Sequence, residues 1–293
     1  MKLLIAYDAS KYSKAIIKDL NRAGLPKNTD TVVLSVADVF LPPGYELTDA
    51  KIPKYILPRV RSTRAQVLKT IDDALETAKA GSKAIEAEFP SWKVHPQSCG
   101  DSPPSAILQK ASKWKPDLIV VGSRGRGTFS HLSIGSVTQR VLQQAKCGVR
   151  VSRIDPRIPD SRAVRVIVGL DGSSHSKKAL KRALLRYRKA AVEFRLVAAI
   201  ERSYEDKKQQ GVAKRHLEDA TRRLRKDGFF VSPVAKKGHP ADVLIEEAKA
   251  WKADCIFLGA RGLSRARRLF IGSVSAVVAA HAPCSVEIVK WGS

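Results

Sequence analysis

The chain has 293 residues, of which 44% are hydrophobic and 28% are charged, and it carries a formal net charge of +25. No apolar run approaches the roughly 20 residues of a membrane span, and the apolar start meets a charge at Asp8, too early for a signal peptide. We therefore expect a globular cytoplasmic protein with no membrane association. Its charge indicates either anionic partners, such as nucleotides or nucleic acid, or a solvated basic surface without such a partner.

The first part of the chain alternates apolar stretches with helical patterns. Residues 2–7 predict a buried strand that ends at Asp8, and the helix after it is broken at Gly24. Residues 41–66 show little periodicity, and we interpret them as a lid over a ligand site. Further strands are predicted at residues 31–39, 92–99, 117–121 and 148–154, and further helices at residues 62–89 and 105–114.

The pattern then repeats. Residues 155–163 contain two prolines and no apolar periodicity, which indicates a linker. Beyond it the chain is similar to its own first part, because residues 111–117 match residues 248–254 and Cys147 aligns with Cys284. We expect domains at residues 1–154 and 164–293, and strands of the second domain at residues 165–170, 192–200, 229–236, 255–258 and 285–290.

Alternating strands and helices predict parallel sheets covered on both faces. The predicted fold class is therefore α/β, with two tandem, doubly wound, Rossmann-like domains that each contain a five-stranded parallel sheet. Ligands of such sheets bind at the carboxyl ends of the strands, where the strand order reverses. If the first and fourth strands flank that reversal, Asp8 and Gly122 meet at one crevice.

A glycine-rich loop with the spacing Gly-x-x-Gly-x9-Gly-Ser follows the fourth strand of each unit. The glycines allow close approach of a ligand to the backbone, and the helix start after the loop offers N–H groups to a phosphate. The hydroxyl of Ser136 can either cap that helix or bind a phosphate oxygen. A tight turn that packs without a ligand is the alternative. The sequence lacks the patterns of the ordinary P-loop and of the usual dinucleotide fold.

Together these residues resemble the universal stress protein family in its tandem form, and specifically its ATP-binding subgroup. The resemblance is carried by Asp-[Gly/Ala]-Ser-x-x-Ser at Asp8–Ser13 and Asp171–Ser176, by the glycine loop of each unit, and by the final strands after Cys147 and Cys284. It covers nearly the whole chain apart from the linker and residues 41–66.

The resemblance implies ATP as the ligand, with Asp8 and Asp171 beside the adenosine. Separately from the resemblance, these two aspartates could bind a Mg²⁺ ion that is held mainly by the phosphates. It implies that Val36 and Val197 contact adenine. It also implies a pseudo-dimer formed through the last strand of each domain, with a homodimer as a further step. The residues implied at the ribose and inner phosphates are Gly122, Gly125, Gly259 and Gly262, and those at the outer phosphates are Gly135, Ser136, Val137, Gly272, Ser273 and Val274.

The function expected on this basis is that of an ATP-binding stress-response protein with a regulatory or protective role. No nucleophile with an adjacent base is evident in the sequence, so we expect no catalytic residues. Two alternatives stay open: a basic module that binds nucleic acid or other anionic partners, and a slow ATPase or phosphotransferase. The second loop is the more basic, with Arg265, Arg267 and Arg268, so we expect unequal affinities at the two sites.

Overall fold

The computed structural model describes residues 1–39, 57–125, 134–153, 159, 161–187, 191–200, 207–262 and 271–290, without the side chains of residues 57, 58, 207–210, 212 and 213. All ten predicted strands are confirmed to within two residues at either end. The second helix starts at Leu57, earlier than the predicted residue 62, so the end of the proposed lid is helical.

The first half contains β1 (Lys2–Ala6), α1 (Lys11–Asn21), β2 (Asp30–Ala37), α2 (Leu57–Glu88), β3 (Lys93–Gly100), α3 (Pro103–Trp114), β4 (Leu118–Gly122), α4 (Ser136–Gln144) and β5 (Gly148–Ser152). The second half contains β6 (Val164–Gly169), α5 (Ser174–Arg186), β7 (Val192–Ile200), α6 (Lys207–Lys226), β8 (Phe230–Lys237), α7 (Pro240–Trp251), β9 (Cys255–Gly259), α8 (Ser273–His281) and β10 (Ser285–Val289). None of the helices in these described ranges is both long enough and apolar enough to cross a membrane.

The strands form one ten-stranded sheet in the order β3-β2-β1-β4-β5-β10-β9-β6-β7-β8. Each half is a parallel five-stranded sheet, and the halves join where β5 and β10 pair antiparallel. The predicted fold class and the predicted pairing through the last strands are therefore confirmed. The outer strands β3 and β8 each carry a proline, Pro96 and Pro233, which leaves an edge that pairs poorly with a further strand.

The two faces of the sheet are packed differently. On one face, α3 and α4 of the first half share a single apolar core with α7 and α8 of the second, and that core includes Val149 and Val151 of β5 and Val286 of β10. On the other face, α1 and α2 cover one core while α5 and α6 cover another. Because side chains alternate along a strand, Arg150 and Glu287 point to that second face, between its two cores.

A buried ionic network occupies this gap. Arg150 is fully buried and donates Nε and Nη2 to the two carboxylate oxygens of Asp19 on α1, at 2.8 and 2.7 Å. Its Nη1 lies 3.4 Å from Glu287, which also accepts from Arg186 of α5 at 2.9 Å. Burial alone would lower the pKa of Arg150, but the Asp19 carboxylate raises that pKa above its usual range. Arg150 is therefore charged in the folded protein.

One position of the network carries opposite charges in the two halves. Arg150 and Glu287 lie opposite each other in the register of β5 and β10, and they occupy equivalent positions of the repeat, three residues after Cys147 and Cys284. Two copies of the first half paired in this way would place Arg150 opposite Arg150. The ion pair therefore favours pairing of the unlike halves within one chain.

Each half also caps a helix of the other half. Arg153 donates Nη2 to the carbonyls of Ala279 and Ala280 at the end of α8, at 2.7 and 3.0 Å. The equivalent residue of the second half, Lys290, donates Nζ to the carbonyl of Leu142 in α4 at 2.6 Å. Burial lowers the pKa of Lys290 to about 8. These reciprocal contacts satisfy helix-end carbonyls that no residue of the same helix can reach.

We predict that Arg150→Met lowers the free energy of unfolding by about 3–5 kcal/mol, because it leaves Asp19 buried without its cation and leaves Glu287 with Arg186 alone. The measurement is urea denaturation of the full chain. Lys79→Met is the control, since Lys79 pairs with Glu76 on the exposed surface of α2 and should contribute no more than about 1 kcal/mol. Equal effects of the two substitutions would contradict the assigned role of the network.

Candidate functional site

The strand order reverses between β1 and β4 in the first half and between β6 and β9 in the second. The chain leaves β1 toward β2 and leaves β4 toward β5, so a crevice opens at the carboxyl ends of β1 and β4. Asp8 lies just beyond β1, and a Cβ placed on Gly125 would be 3.3 Å from its Oδ2. The expected meeting of the two strand ends is therefore observed.

The aspartate at each crevice is held by its own turn. Asp8 accepts a hydrogen bond from the N–H of Ser10 at 3.0 Å, and the Ser10 hydroxyl in turn caps α1 by accepting from the N–H of Ser13 at 3.2 Å. The second half repeats both bonds with Asp171, Ser173 and Ser176, at 2.9 and 3.1 Å. The family motif Asp-[Gly/Ala]-Ser-x-x-Ser thus orients a carboxylate and starts a helix.

The residue after each aspartate has a left-handed backbone. Gly172 has a φ of 82°, and Ala9 has a φ of 59°. Glycine adopts this conformation freely, but alanine is strained there by roughly 1–2 kcal/mol. The first half therefore carries backbone strain at Ala9 that the second half avoids with Gly172.

The two ends of each glycine loop are brought into contact. The N–H of Gly135 donates to the carbonyl of Ser123 at 2.9 Å, and the N–H of Gly272 donates to the carbonyl of Ala260 at 2.7 Å. A second anchor is the hydroxyl of Thr138, which donates to the carbonyl of Gly122 at 2.7 Å. Ser275 makes the same bond to Gly259. This hydroxyl is absent from the predicted site residues, although a hydroxyl residue recurs at the same spacing in both halves.

The helix that follows each loop presents its first N–H groups to the crevice edge. Gly135 and Gly272 are the N-cap residues of α4 and α8, so Ser136 and Ser273 are the first helical residues. Of the two roles expected for the Ser136 hydroxyl, capping of the helix is wrong. Both serines are exposed, and the backbone N–H groups of the first helical turn have no acceptor within their own helix.

The first glycine of each loop packs against a helix. A Cβ on Gly122 would lie 3.2 Å from the backbone and Cβ of Tyr12 in α1. A Cβ on Gly259 would lie only 2.6 Å from Cβ of His175 in α5. The absence of a side chain is therefore required by packing alone. By contrast, a Cβ on Gly135 would find its nearest neighbour at 3.4 Å, so packing does not explain that glycine.

The two valines expected at adenine are not equivalent. Leu34 pairs with Ala6 of β1, and Val197 pairs with the equivalent Gly169 of β6, so the true counterpart of Val36 is Ala199. Val197 is also buried, with 2% of its surface exposed, and it belongs to the shared core. Ala199 and Val36 are both half-buried near the carboxyl ends of their strands, and the adenine contact stays a prediction.

An arginine that the sequence argument passed over lies beside the first crevice. Arg124, between the first two loop glycines, donates Nη1 to the Tyr12 hydroxyl at 3.1 Å and its guanidinium lies 5.5 Å from the ring centre. The pKa of Tyr12 is lowered, chiefly by that hydrogen bond. Tyr12 belongs to the helix after the first strand, so no local pattern could have linked the two residues.

Several sequence-based predictions fall outside the described residues. They are the arginines at 265, 267 and 268 and most of the proposed lid. Within the described ranges, no three His, Cys, Asp or Glu side chains are grouped so as to hold a metal ion. Asp8 and Asp171 are the carboxylates that lie beside the loop glycines Gly125 and Gly262.

The fold and the paired glycine loops define a tandem α/β protein with two candidate nucleotide crevices. The model of the universal stress protein family matches residues 1–153 and residues 164–290. The chain therefore belongs to the universal stress protein family and contains two of its domains in tandem.

Individual relatives agree with this assignment. A universal stress protein from Thermus aquaticus is 31% identical over 134 residues, which are 43% of this chain and 97% of that protein. One from Synechocystis is 38% identical over 82 residues, or 28% of this chain and 53% of its own length, so the match spans about half of that relative. A universal stress protein from Archaeoglobus fulgidus superposes with a TM-score of 0.68 at 21% identity, over 99% of this chain and 98% of that one, and shows the fold alone.

We predict that Gly259→Ala destabilises the fold by about 1–3 kcal/mol, because the new methyl group collides with α5. Gly272→Ala adds the same methyl group where the nearest atom is 3.4 Å away, and it should cost less than about 1 kcal/mol. Thermal unfolding of both variants separates packing glycines from glycines that are free for a ligand. A larger loss in Gly272→Ala would contradict this division.

Proposed function

We propose that the chain binds ATP, or another adenine nucleotide, at the glycine loop of each half. The observation that carries the proposal is the combination of Gly135 and Gly272 as helix N-caps with the aspartates at the neighbouring strand ends. The first turn of α4 offers backbone N–H groups and the positive end of the helix dipole, which suit the outer phosphates. The same arrangement recurs at α8.

The other parts of the nucleotide are assigned by position along the crevice. Asp8 and Asp171 face the loops and suit the ribose hydroxyls, which donate hydrogen bonds to a carboxylate. Val36 and Ala199, near the carboxyl ends of the second strands, are placed to contact adenine. Mg²⁺ would be held mainly by the phosphates, with a single carboxylate from the protein in each half.

The proposed role is regulatory or protective, in the cytoplasm, and the protein acts through its nucleotide-bound state. We assign no catalytic role to a described side chain of the crevices, and slow hydrolysis of ATP by water is the alternative. Asp8 and Asp171 already accept backbone hydrogen bonds from their own turns. A homodimer must use a surface other than β5 and β10, since those strands pair within the chain.

The test is calorimetric titration of ATP with Mg²⁺ into the full chain and two variants. We predict two sites in the wild type, one in Gly135→Asp, one in Gly272→Asp and none in the double variant. The new carboxylate occupies the phosphate position and repels the ligand. Aspartate is also a favoured N-cap residue, and Gly135 has a φ of −66°, so the variant should fold normally.

Gly135→Asn is the matched control, because asparagine has the same shape and caps equally well but carries no charge. It should weaken ATP binding less than Gly135→Asp does. Wild-type protein that binds no ATP would refute the nucleotide proposal. Two sites of unchanged affinity in the double variant would show that the loops are not where ATP binds.

Nucleic acid is a second candidate ligand, favoured by one exposed face of α6. This face is rich in Lys and Arg, and its positive charge suits a nucleic-acid backbone. One of its arginines, Arg222, lies 3.9 Å from Asp219, which offsets part of the charge. The exposed basic residues of the face are Lys214, Arg215, Arg222, Arg223 and Lys226.

We predict that a single-stranded oligonucleotide binds with an affinity that falls steeply as salt is raised, and that Arg223→Glu weakens the binding. Fluorescence anisotropy at several salt concentrations measures both effects. Lys79→Glu, on the exposed surface of α2, is the control for a charge change elsewhere. No binding at low salt would remove this candidate.

A further inference from the structure

A pocket of about 380 Å³ lies between the two halves, at the carboxyl end of β5. We call it the interdomain pocket. The first half contributes the start of α1, the loop residues Ser123 and Arg124, and Ser152 and Arg153 at the end of β5. The second half contributes the end of α8 and the residues just after it, including His281 and Pro283. Neither half alone forms the pocket.

Two polar groups of the pocket lack partners within the part of the chain that the structure describes. Ser152 is 1% exposed, and its hydroxyl makes no hydrogen bond there. Arg153 uses Nη2 to cap α8, but its buried Nη1 has no acceptor among the described residues. Leaving such groups unsatisfied costs about 1–3 kcal/mol each, and more for a charged group. An acceptor that enters the pocket would remove this cost.

The basic side chains that line the pocket favour an anion as the acceptor. Its described lining contains Arg124, Arg153 and His281 and no carboxylate. Burial lowers the pKa of Arg153 to about 10, and the nearby Arg124 also disfavours the charged form. An anion would offset both effects, and Arg153 already neutralises the negative end of α8.

The equivalent position in the second half is built differently. The hydroxyls of Tyr12, Ser123 and Ser152 are replaced there by His175, Ala260 and Val289. These pairs follow from the register of the repeat, in which Gly122 matches Gly259 and Asp8 matches Asp171. The polar pocket is therefore a feature of one side of the molecule and not a by-product of the shared fold.

We propose that the interdomain pocket binds the phosphate group of a small ligand, through Arg153 and Ser152, with Tyr12 and Arg124 at its mouth. Phosphate suits this set because it offers several oxygens to a guanidinium and to hydroxyl donors at once. The apolar part of the lining is formed by Ala15, Ala280, Ala282 and Pro283, which leaves room for a small organic group.

Such a ligand would join the two halves. The same guanidinium that would bind it through Nη1 already holds the last carbonyls of α8 through Nη2. Arg124 also belongs to the first glycine loop, so phosphate in the pocket and nucleotide at that loop would share one backbone segment. The ligand would therefore couple the first crevice to the second half. This coupling rests on the proposed nucleotide function, whereas phosphate binding itself does not.

The test is calorimetric titration of inorganic phosphate, at constant ionic strength, into full-length Gly135→Asp/Gly272→Asp, in which the loops no longer accept phosphate. We expect one phosphate per chain. Adding Arg153→Met should weaken its binding at least about tenfold, which is the effect of losing one charge-assisted hydrogen bond. Adding Lys290→Met should leave the binding unchanged, because Lys290 caps α4 in the same way but lies outside the pocket.

A second variant covers the case in which Arg153→Met does not fold. Ser152→Val introduces the residue that stands at the equivalent position of the second half, leaves the cap on α8 intact and should also weaken phosphate binding. The proposal is overturned if the loop variant binds no phosphate, if Ser152→Val binds it as tightly as its parent, or if Lys290→Met loses as much affinity as Arg153→Met.

Competition between ATP and inorganic phosphate shows where the bound phosphate group comes from. If inorganic phosphate still binds to the interdomain pocket of the wild type at saturating ATP, the phosphate group belongs to a separate ligand. If ATP prevents inorganic phosphate from binding to the pocket in the wild type but not in Gly135→Asp, the phosphate group is the outer phosphate of the nucleotide. Wild-type protein that binds inorganic phosphate but no ATP would refute the nucleotide proposal and leave the pocket standing.

Discussion

The antiparallel pairing of β5 with β10, and the buried Arg150–Glu287 pair within it, is the constraint on which the rest of the structure depends. Burying two like charges opposite each other is costly, so this pair favours the observed register and the observed partner strand. Because the two residues are equivalent in the repeat, the sequence makes the halves complementary where identical copies would repel each other. In a duplicated chain with this charge reversal, the contact between the last strands forms within one chain. Without the reversal, it would be a symmetric contact between identical halves.

This pairing also decides where the two crevices lie. Each half is parallel, but the halves meet antiparallel, so their carboxyl edges face in opposite directions and the two candidate nucleotide sites are on opposite edges of the sheet. Contact between the sites must therefore pass through the join. Arg153 and Lys290 connect the two halves at this join. Each residue follows the last strand of one half and donates a hydrogen bond to the end of a helix in the other half.

Periodicity and the internal repeat predicted the ten strands, the fold class and the meeting of Asp8 with the glycine loop, because these follow from patterns local in sequence. Other features have no local signal. The second strands carry no fixed marker, and only their pairing with the first strands shows that Val197 matches Leu34 and that Ala199 matches Val36. Arg150 and Glu287 occupy equivalent positions of the repeat, but their opposite charges predict an ion pair only once the two strands are known to pair. The interdomain pocket combines residues from both halves, and no local pattern contains it.

The central claim is that both loops are nucleotide sites and that the first glycine of each serves packing while the third serves the ligand. A crystal structure of the chain grown with ATP and Mg²⁺ tests it most directly. The account predicts phosphate oxygens within hydrogen-bonding distance of the backbone N–H groups of Ser136 and Val137, and of Ser273 and Val274, with adenine beside Val36 and Ala199. Empty loops at saturating ATP, or nucleotide bound elsewhere on the molecule, would contradict it.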